Sequence, residues 1–396
     1  MNIYADNAAT TKMSEAAIAT MLDYMQTWYG NPSSLYTIGQ VAKEKLEEAR
    51  EEIAKIINCE PREILFTSGG SEADNQALQT AAAIGKRQGK THIISTAFEH
   101  HAILHTLRKL EKQGFTVTLL PVHERGIVDV GELEAAITDE TCLVTVMTVN
   151  NEIGTIQPIK EIGEVCRKHK VLFHTDAVQA VGHLPIYVQA QNIDMLSASA
   201  HKFHGPKGVG FLYAKKGVRL VNLIVGGAQE RGKRAGTENL PGIAAMTTAL
   251  RESVQNMNAV SEHLTPIRDH IIKGLSEIPH SALNGDPVNR VCGNINFSFE
   301  GIEGESLLIL LDQKGISASS GSACTSGSLD PSHVLLSIGR IHEVAHGSLR
   351  LSLSDDATVE EADYIIDAVK EVVAHLRSFS PVWRDLQNGK REYILK

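Results

Sequence analysis

Short apolar runs alternate with segments of helical period through the first two thirds of the chain, and this restricts the fold more than any other feature. Strand-like runs occupy residues 64–67, 92–95, 116–120, 142–149, 171–175, 195–199 and 209–213. Between them, residues 71–88, 102–113, 131–137 and 159–169 repeat apolar side chains at the spacing of one helix face. Two more helices precede the first run: residues 14–28, with Ser14 placed as its N-cap, and residues 39–58. The strand-like runs are short and mostly apolar, as strands buried on both faces must be. This predicts an α/β fold with a mostly parallel sheet, about seven strands wide, covered by helices on both sides. In such sheets ligands sit beyond the carboxyl ends of the strands, so the strand-to-loop junctions are the places to search.

The last third has a different grain. A long helix is predicted over 240–268 with a possible break, followed by a strand at 294–299 and a helix at 305–313. A loop of small residues fills 319–328, a strand 348–354, and a final helix runs over 358–378, opened by the capping box Thr358-x-x-Glu361. The expected organisation is a large unit over 15–258. A smaller α+β unit is made from 1–14 and 259–396, and carries a mobile loop at about 318–332. The net charge of −9 offers no global basic field, so neither nucleic acid nor an anionic membrane is an expected partner. Five cysteines without a C-x-x-C pair argue against a disulfide scaffold or a cysteine zinc site. The first residues carry no basic and apolar leader pattern, and no run approaches the roughly 18 apolar residues of a membrane span, so a cytoplasmic location is expected.

Two motif matches are mechanically poor. Residues 85–91, GKRQGKT, imitate a phosphate-binding loop but have one residue too few between the glycines and run from helix to strand, the reverse of what that loop needs. His342-Glu343-Val344-Ala345-His346 imitates a zinc hydrolase motif, which requires a helix, yet Gly347 and a β-like run follow at once. His101 and His105 lie four apart, with nothing in the sequence nearby to complete a metal shell.

Three junctions carry chemistry. Ser68-Gly69-Gly70-Ser71-Glu72 joins a strand to a helix, where free amides and the positive helix end favour an anion. Ser71 could equally cap its own helix with Asp74 completing a capping box. Asp176 ends an apolar strand, where a carboxylate requires a cationic or protonated partner. Lys202 follows another such strand, and burial gives a lysine the lowered pKa that Schiff-base chemistry needs. A phosphate cup, a carboxylate for a ring nitrogen and a Schiff-base lysine, in this order, point to pyridoxal 5′-phosphate.

The chain resembles the cysteine desulfurases of the NifS/IscS type, in the class V aminotransferase group of fold type I pyridoxal phosphate enzymes. The resemblance rests on YADNAATT from Tyr4, GNPSS from Gly30, FTSGGSEADN from Phe66, EHHA from Glu99, VNNEIGTIQP from Val149 and HTDAVQ from His174. It continues through SASAHKFHGPKGVG from Ser197, RAGTEN from Arg234, SSGSACTSGSLDPSH from Ser319 and HGSLRLSLS from His346. It implies that Lys202 bonds the cofactor and later moves the substrate Cα proton, that Asp176 pairs with the ring nitrogen, and that His100 stacks on the ring as an acid–base group. Asn150 and Gln179 would hold the ring hydroxyl side. Gly70, Ser71, Ser199 and His201 would bind the phosphate, with Thr237 reaching that of a neighbouring subunit in a homodimer. Arg350 would pair with the substrate carboxylate, and Asn7 and Asn151 would help near the substrate.

Cys324 sits among small polar residues, where a thiol reads as a swinging nucleophile. Cys59, Cys142, Cys166 and Cys292 read as packing residues. The implied reaction converts L-cysteine to L-alanine, with the sulfur kept on Cys324 as a persulfide for an acceptor protein of iron–sulfur assembly or a thiolation pathway. The R-x-G-H-H-C-A pattern of the SufS-type branch is absent, and the C-terminal SPVWRDLQNGKREYILK departs from the extended tail that scaffold proteins recognise. A class V aminotransferase would need Lys202 and Asp176 but not Cys324. A non-catalytic scaffold would need none of the site residues.

Overall fold

In the computed structural model, residues 1–320 and 331–395 are described. Twelve strands are present among them: β1 (Ile3–Tyr4), β2 (Ile64–Thr67), β3 (His92–Thr96), β4 (Thr116–Leu120), β5 (Thr141–Thr145), β6 (Leu172–Asp176), β7 (Met195–Ser199), β8 (Gly210–Ala214), β9 (Ser281–Leu283), β10 (Asn294–Phe299), β11 (Ile316–Ser317) and β12 (Ser348–Ser352). Seven of them form one sheet in the order β2-β8-β7-β6-β5-β3-β4. Only β8 runs against its neighbours, pairing antiparallel with β2 and β7; the other contacts are parallel. This is the expected α/β architecture.

Successive side chains of a strand point to opposite faces, so a sheet covered on both sides divides its apolar residues between two cores. Ile64, Phe66, Ile94, Val144, Leu196 and Phe211 pack into one cluster. Their neighbours Leu65, Ile93, Leu143, Met195 and Leu212 pack into the other, against Ala73, Ala77, Leu78 and Ala81 of the helix Gly70–Arg87. That double burial explains why these strands read as continuous apolar runs.

A third cluster gathers Ile3 and Ala5 with residues between Leu264 and Leu376, around the antiparallel sheet β12-β10-β9. The helix Leu240–Ser276 is longer than the sequence pattern suggests and continues through Pro266. Leu240 to Leu250 pack on the first cluster and Leu264 to Leu275 on the third, and burial at both ends outweighs the hydrogen bond that proline removes. Residues 3–8 return to this part of the molecule: β1 pairs with β11, Ser352 N–H donates to Ala5 O (2.7 Å), and Ala8 N–H donates to Ser352 Oγ (2.9 Å). No described helix is long and apolar enough to cross a membrane.

Candidate active site

The carboxyl ends of β2, β3, β5, β6 and β7 converge, together with residues 8–9 and β12, on a cavity of about 420 Å³. After β2 the chain turns at Gly69, whose φ of +144° disfavours any side chain, and enters the helix Gly70–Arg87. A Cβ at Gly70 would stand 2.6 Å from Val178 Cγ2, so only glycine lets this helix end approach the turn after β6. The first amides of an α-helix have no intrahelical acceptor, and Gly70 and Ser71 bring two of them to the cavity wall. Ser71 does not cap this helix. Gly69 holds the N-cap position, and the Ser68 N–H donates to Glu72 Oε2 (2.8 Å), whose carboxylate also holds Arg234 (3.0 Å).

His100 caps the helix His101–Glu111, its Nδ1 accepting the Ala102 N–H at 3.1 Å. A ring nitrogen that accepts carries no proton, so the neutral ring keeps its proton on Nε2. Burial, then the nearby Lys202 charge, lowers the imidazole to about 4, which holds it neutral. Asp176 closes β6 and accepts the Val178 N–H at 2.9 Å. Burial raises this carboxyl, while the Val178 amide and the Lys202 charge oppose that rise. Lys202 ends the single turn after β7, and its Nζ donates to Ala8 O (2.6 Å) and Ala9 O (2.7 Å). Gln179 Nε2 donates to the same Ala8 O (2.8 Å), and His201 Nδ1 lies 3.1 Å from Thr10 Oγ1. Residues 8–10 thus form one wall of the site.

Arg350 lies mid-strand in β12, 2% exposed, with its guanidinium at the cavity. Nη2 pairs with Asp6 Oδ1 at 2.6 Å and Nη1 donates to Asn151 O at 3.2 Å, while the buried Nε has no hydrogen-bond partner among the described residues. A guanidinium with donors to spare at a cavity wall suits a carboxylate.

Ten of the residues expected from sequence line this one cavity: Gly70, Ser71, His100, Asn151, Asp176, Gln179, Ser199, His201, Lys202 and Arg350. Asn150 and Asn7 lie beyond it, beside an adjoining space of about 60 Å³. The Asn150 amide is occupied locally, donating to Phe98 O (2.9 Å) and accepting the Glu152 (2.9 Å) and Ile153 (3.1 Å) N–H groups. Asn7 Nδ2 donates to Ser352 O (3.0 Å) and Ser354 Oγ (3.2 Å). Thr237 is exposed and away from the cavity. Cys324 lies outside the described residues.

The sequence reading missed Asp74, which lines the cavity 1% exposed, and Asp6, the partner of Arg350. Asp74 stood inside a quoted motif, in the guise of a capping residue. Contrary to expectation, His342–His346 does form a short helix, with the two rings 4.5 Å apart. The turn fits because Val344 and Ala345 are buried. Among the described residues, however, Asp74, His100 and Asp176 are the one group of three or more His, Cys, Asp or Glu whose donor atoms lie within 4.8 Å of one another, so the pair has no third ligand. The cysteines at 142 and 166 are buried, those at 59 and 292 half-buried, and burial pushes the Cys59 and Cys142 thiols up to about 12 and 11.

The family model for class-V aminotransferases matches residues 3–365. The cysteine desulfurase IscS of Clostridium botulinum is 53% identical over 393 residues, 98% of this chain and 99% of the relative. That of Methanosarcina thermophila is 51% identical over 96% of this chain and 94% of the relative. Among solved structures, a NifS-like protein superposes with a TM-score of 0.89 at 37% identity, over 95% of this chain and all of the other. SspA in complex with cysteine gives 0.77 at 34% identity, over 89% and 98%. Class-V aminotransferases and cysteine desulfurases are, as a family, dependent on pyridoxal 5′-phosphate. With its fold, its strand-end cavity and these full-length similarities in agreement, the chain belongs to the class-V aminotransferase family and, within it, to the cysteine desulfurases.

Proposed function

We propose that this protein binds pyridoxal 5′-phosphate in the strand-end cavity and takes sulfur from L-cysteine, releasing L-alanine and holding the sulfur as a persulfide on Cys324 for an acceptor protein. The observation that carries this reading is the convergence of a lysine amine, a buried carboxylate pair, helix-end amides and Arg350 on one cavity. The residues fit the cofactor. The Gly69–Gly70 cradle, which a side chain would fill, leaves two amides for a phosphate. The Asp74 Oδ1 atom lies buried beside Asp176 without a hydrogen-bond partner among the described residues, and a protonated ring nitrogen would bring a cation to this carboxylate floor. Ser199 and His201 add phosphate donors, Gln179 borders the ring edge, and Lys202 supplies the amine for the covalent link.

When bound, the cofactor supplies an electron sink for the substrate Cα. Lys202 moves the Cα proton, and its position against the Ala8 and Ala9 carbonyls keeps the amine at the cavity wall. His100 presents Nε2–H as a proton donor from a ring whose other nitrogen is fixed. Arg350 holds the substrate carboxylate, steadied by Asp6, with Asn151 beside it. The Cys324 thiolate attacks the substrate sulfur. A sulfur–sulfur bond forms as the carbon–sulfur bond breaks, and the electron pair and a proton end on the carbon that leaves as alanine. Thr237, exposed on the surface, would complete the phosphate site of a second copy in a homodimer. Acceptors in iron–sulfur assembly or thiolation pathways fit this chemistry.

The test is the yield of sulfide and alanine from L-cysteine with a thiol reductant. Equal amounts over many turnovers are expected, and Cys324→Ala should bind cysteine yet release no sulfide. Full sulfide release by that variant would remove the persulfide step. Transamination without sulfide would make the chain an aminotransferase.

A further inference from the structure

Asp74 and Asp176 are 1% and 5% exposed, and their carboxylate oxygens lie within 4.8 Å of each other. Two carboxylates this close and this dry cannot both ionise without a cation between them. What surrounds each decides which one keeps a proton. Asp176 has the Val178 amide at 2.9 Å and feels the Lys202 charge, both favouring its ionised form. Asp74 has less help: the Ser197 hydroxyl favours its ionised form, but burial and the neighbouring Asp176 outweigh it. Its Oδ1 has no hydrogen-bond partner among the described residues, and the neighbouring carboxyls acting on it are those of Asp176 and Glu99.

The groups behind Asp74 are neutral. His174 is fully buried, with Nε2 3.0 Å from Ser197 Oγ and Nδ1 2.9 Å from Thr145 Oγ1. Burial pushes this imidazole down to about 3, so it stays neutral at 3.8 Å from Asp74 Oδ1. His100, on the cavity side, is neutral as well. The Ser197 hydroxyl is Asp74's hydrogen-bonding neighbour.

We propose that Asp74 is a positioning residue of the cofactor site: a buried carboxyl group that keeps its proton, so that the negative charge of the floor rests on Asp176 alone. It maintains the hydrogen-bonded shape behind Asp176 without competing for the ring nitrogen. This inference rests on the cavity being the pyridoxal phosphate site.

The experiment is titration of the full chain, stripped of cofactor, with pyridoxal 5′-phosphate. Wild type, Asp74→Ala, Asp74→Asn and Asp176→Asn are compared for dissociation constant and by infrared difference spectra at neutral pH. Asp74→Ala should weaken binding about tenfold, Asp74→Asn should recover most of that, and Asp176→Asn should weaken it at least about tenfold, the range seen when a supporting partner of a bound group is removed. The wild type minus Asp74→Asn spectrum should contain the carbonyl stretch of a protonated acid. Carboxylate stretches in its place, or an Asn variant as weak as the Ala variant, would show an ionised Asp74 and overturn the proposal. If Asp74→Asn does not fold, Asp74→Ser supplies the same difference spectrum. A wild-type chain that fails to bind the cofactor would instead overturn the reading of the cavity, and this inference with it.

Discussion

Two clusters of buried charge lie along the same sheet and are built on opposite terms. Beside β2, Arg50 and Glu230 form an ion pair with both side chains 2% exposed. The Glu230 carboxylate accepts Arg50 Nη2 at 2.6 Å, Nη1 at 2.9 Å and the Phe66 N–H at 3.0 Å. Arg50 also donates to Ile64 O (2.8 Å) and stacks over Phe66 at 4.5 Å. The pairing is complete enough to hold Glu230 at a φ of +47°. At the cavity, by contrast, Asp74 Oδ1 and Arg350 Nε, with Glu99 Oε2 behind it, are buried without hydrogen-bond partners among the described residues. Burial raises the Glu99 carboxyl to about 8. Depth of burial is similar in the two places; satisfaction is not. A saturated buried pair fixes the scaffold, whereas unsatisfied groups around a cavity await a ligand.

The contrast can be broken from either side. The largest effect is expected at Lys202→Ala, which should lower sulfide formation by about 10³-fold or more and abolish the absorbance of covalently held cofactor, read by spectrophotometry. Glu230→Gln comes next. It leaves Arg50 buried without its charge partner and should cost about 3–5 kcal/mol in urea unfolding while leaving KM for L-cysteine unchanged. A changed KM at full stability would show that the Arg50–Glu230 pair serves the cavity rather than the scaffold. Arg350→Lys keeps the charge but not the fork, and should raise KM about 30-fold, a loss of about 2 kcal/mol, with cofactor absorbance intact.

The smallest effect concerns His204 and Asp355, 3.1 Å apart and partly exposed. The hydrogen bond to Asp355 raises the imidazole above its usual 6.5, against the opposing effect of burial. Burial acts to raise Asp355, but the His204 hydrogen bond and charge outweigh it and leave the carboxyl below 3.8. The histidine's contribution is therefore complete below pH 6.5 and lost as pH rises through its raised pKa. The aspartate's is complete above 3.8 and lost as pH falls through its lowered one. Asp355→Asn should cost about 0.5 kcal/mol between those values and nothing in alkaline solution, as seen by thermal unfolding at both.

What could be read from the sequence follows from where its signals lie. Strands buried on both faces leave apolar runs, and Asp176 and Lys202 stand out because each interrupts one at its carboxyl end. Asp74 does not stand out, because an acid four residues into a helix is ordinary until a second carboxylate is found beside it. Asp6 is invisible for another reason: 344 residues separate it from Arg350, and no local pattern encodes that pairing. Asn150 illustrates the reverse case. A motif residue at the right place turns its amide to three backbone groups nearby.

Residues 3–11 have a further consequence, in the order of synthesis. They pair with residues 316–317 and 350–352 and present the Ala8 and Ala9 carbonyls to Lys202. A ribosome adding roughly 5–20 residues per second needs roughly 17–70 s to make the intervening chain. From residue 214 onward the seven-stranded sheet can form, with residues 8–10 held only by their contacts to Gln179, His201 and Lys202 until residues 316–317 and 350–352 follow. The strand-end cavity is therefore among the last parts of the molecule to close, and a nascent chain carries Lys202 well before Arg350 joins it.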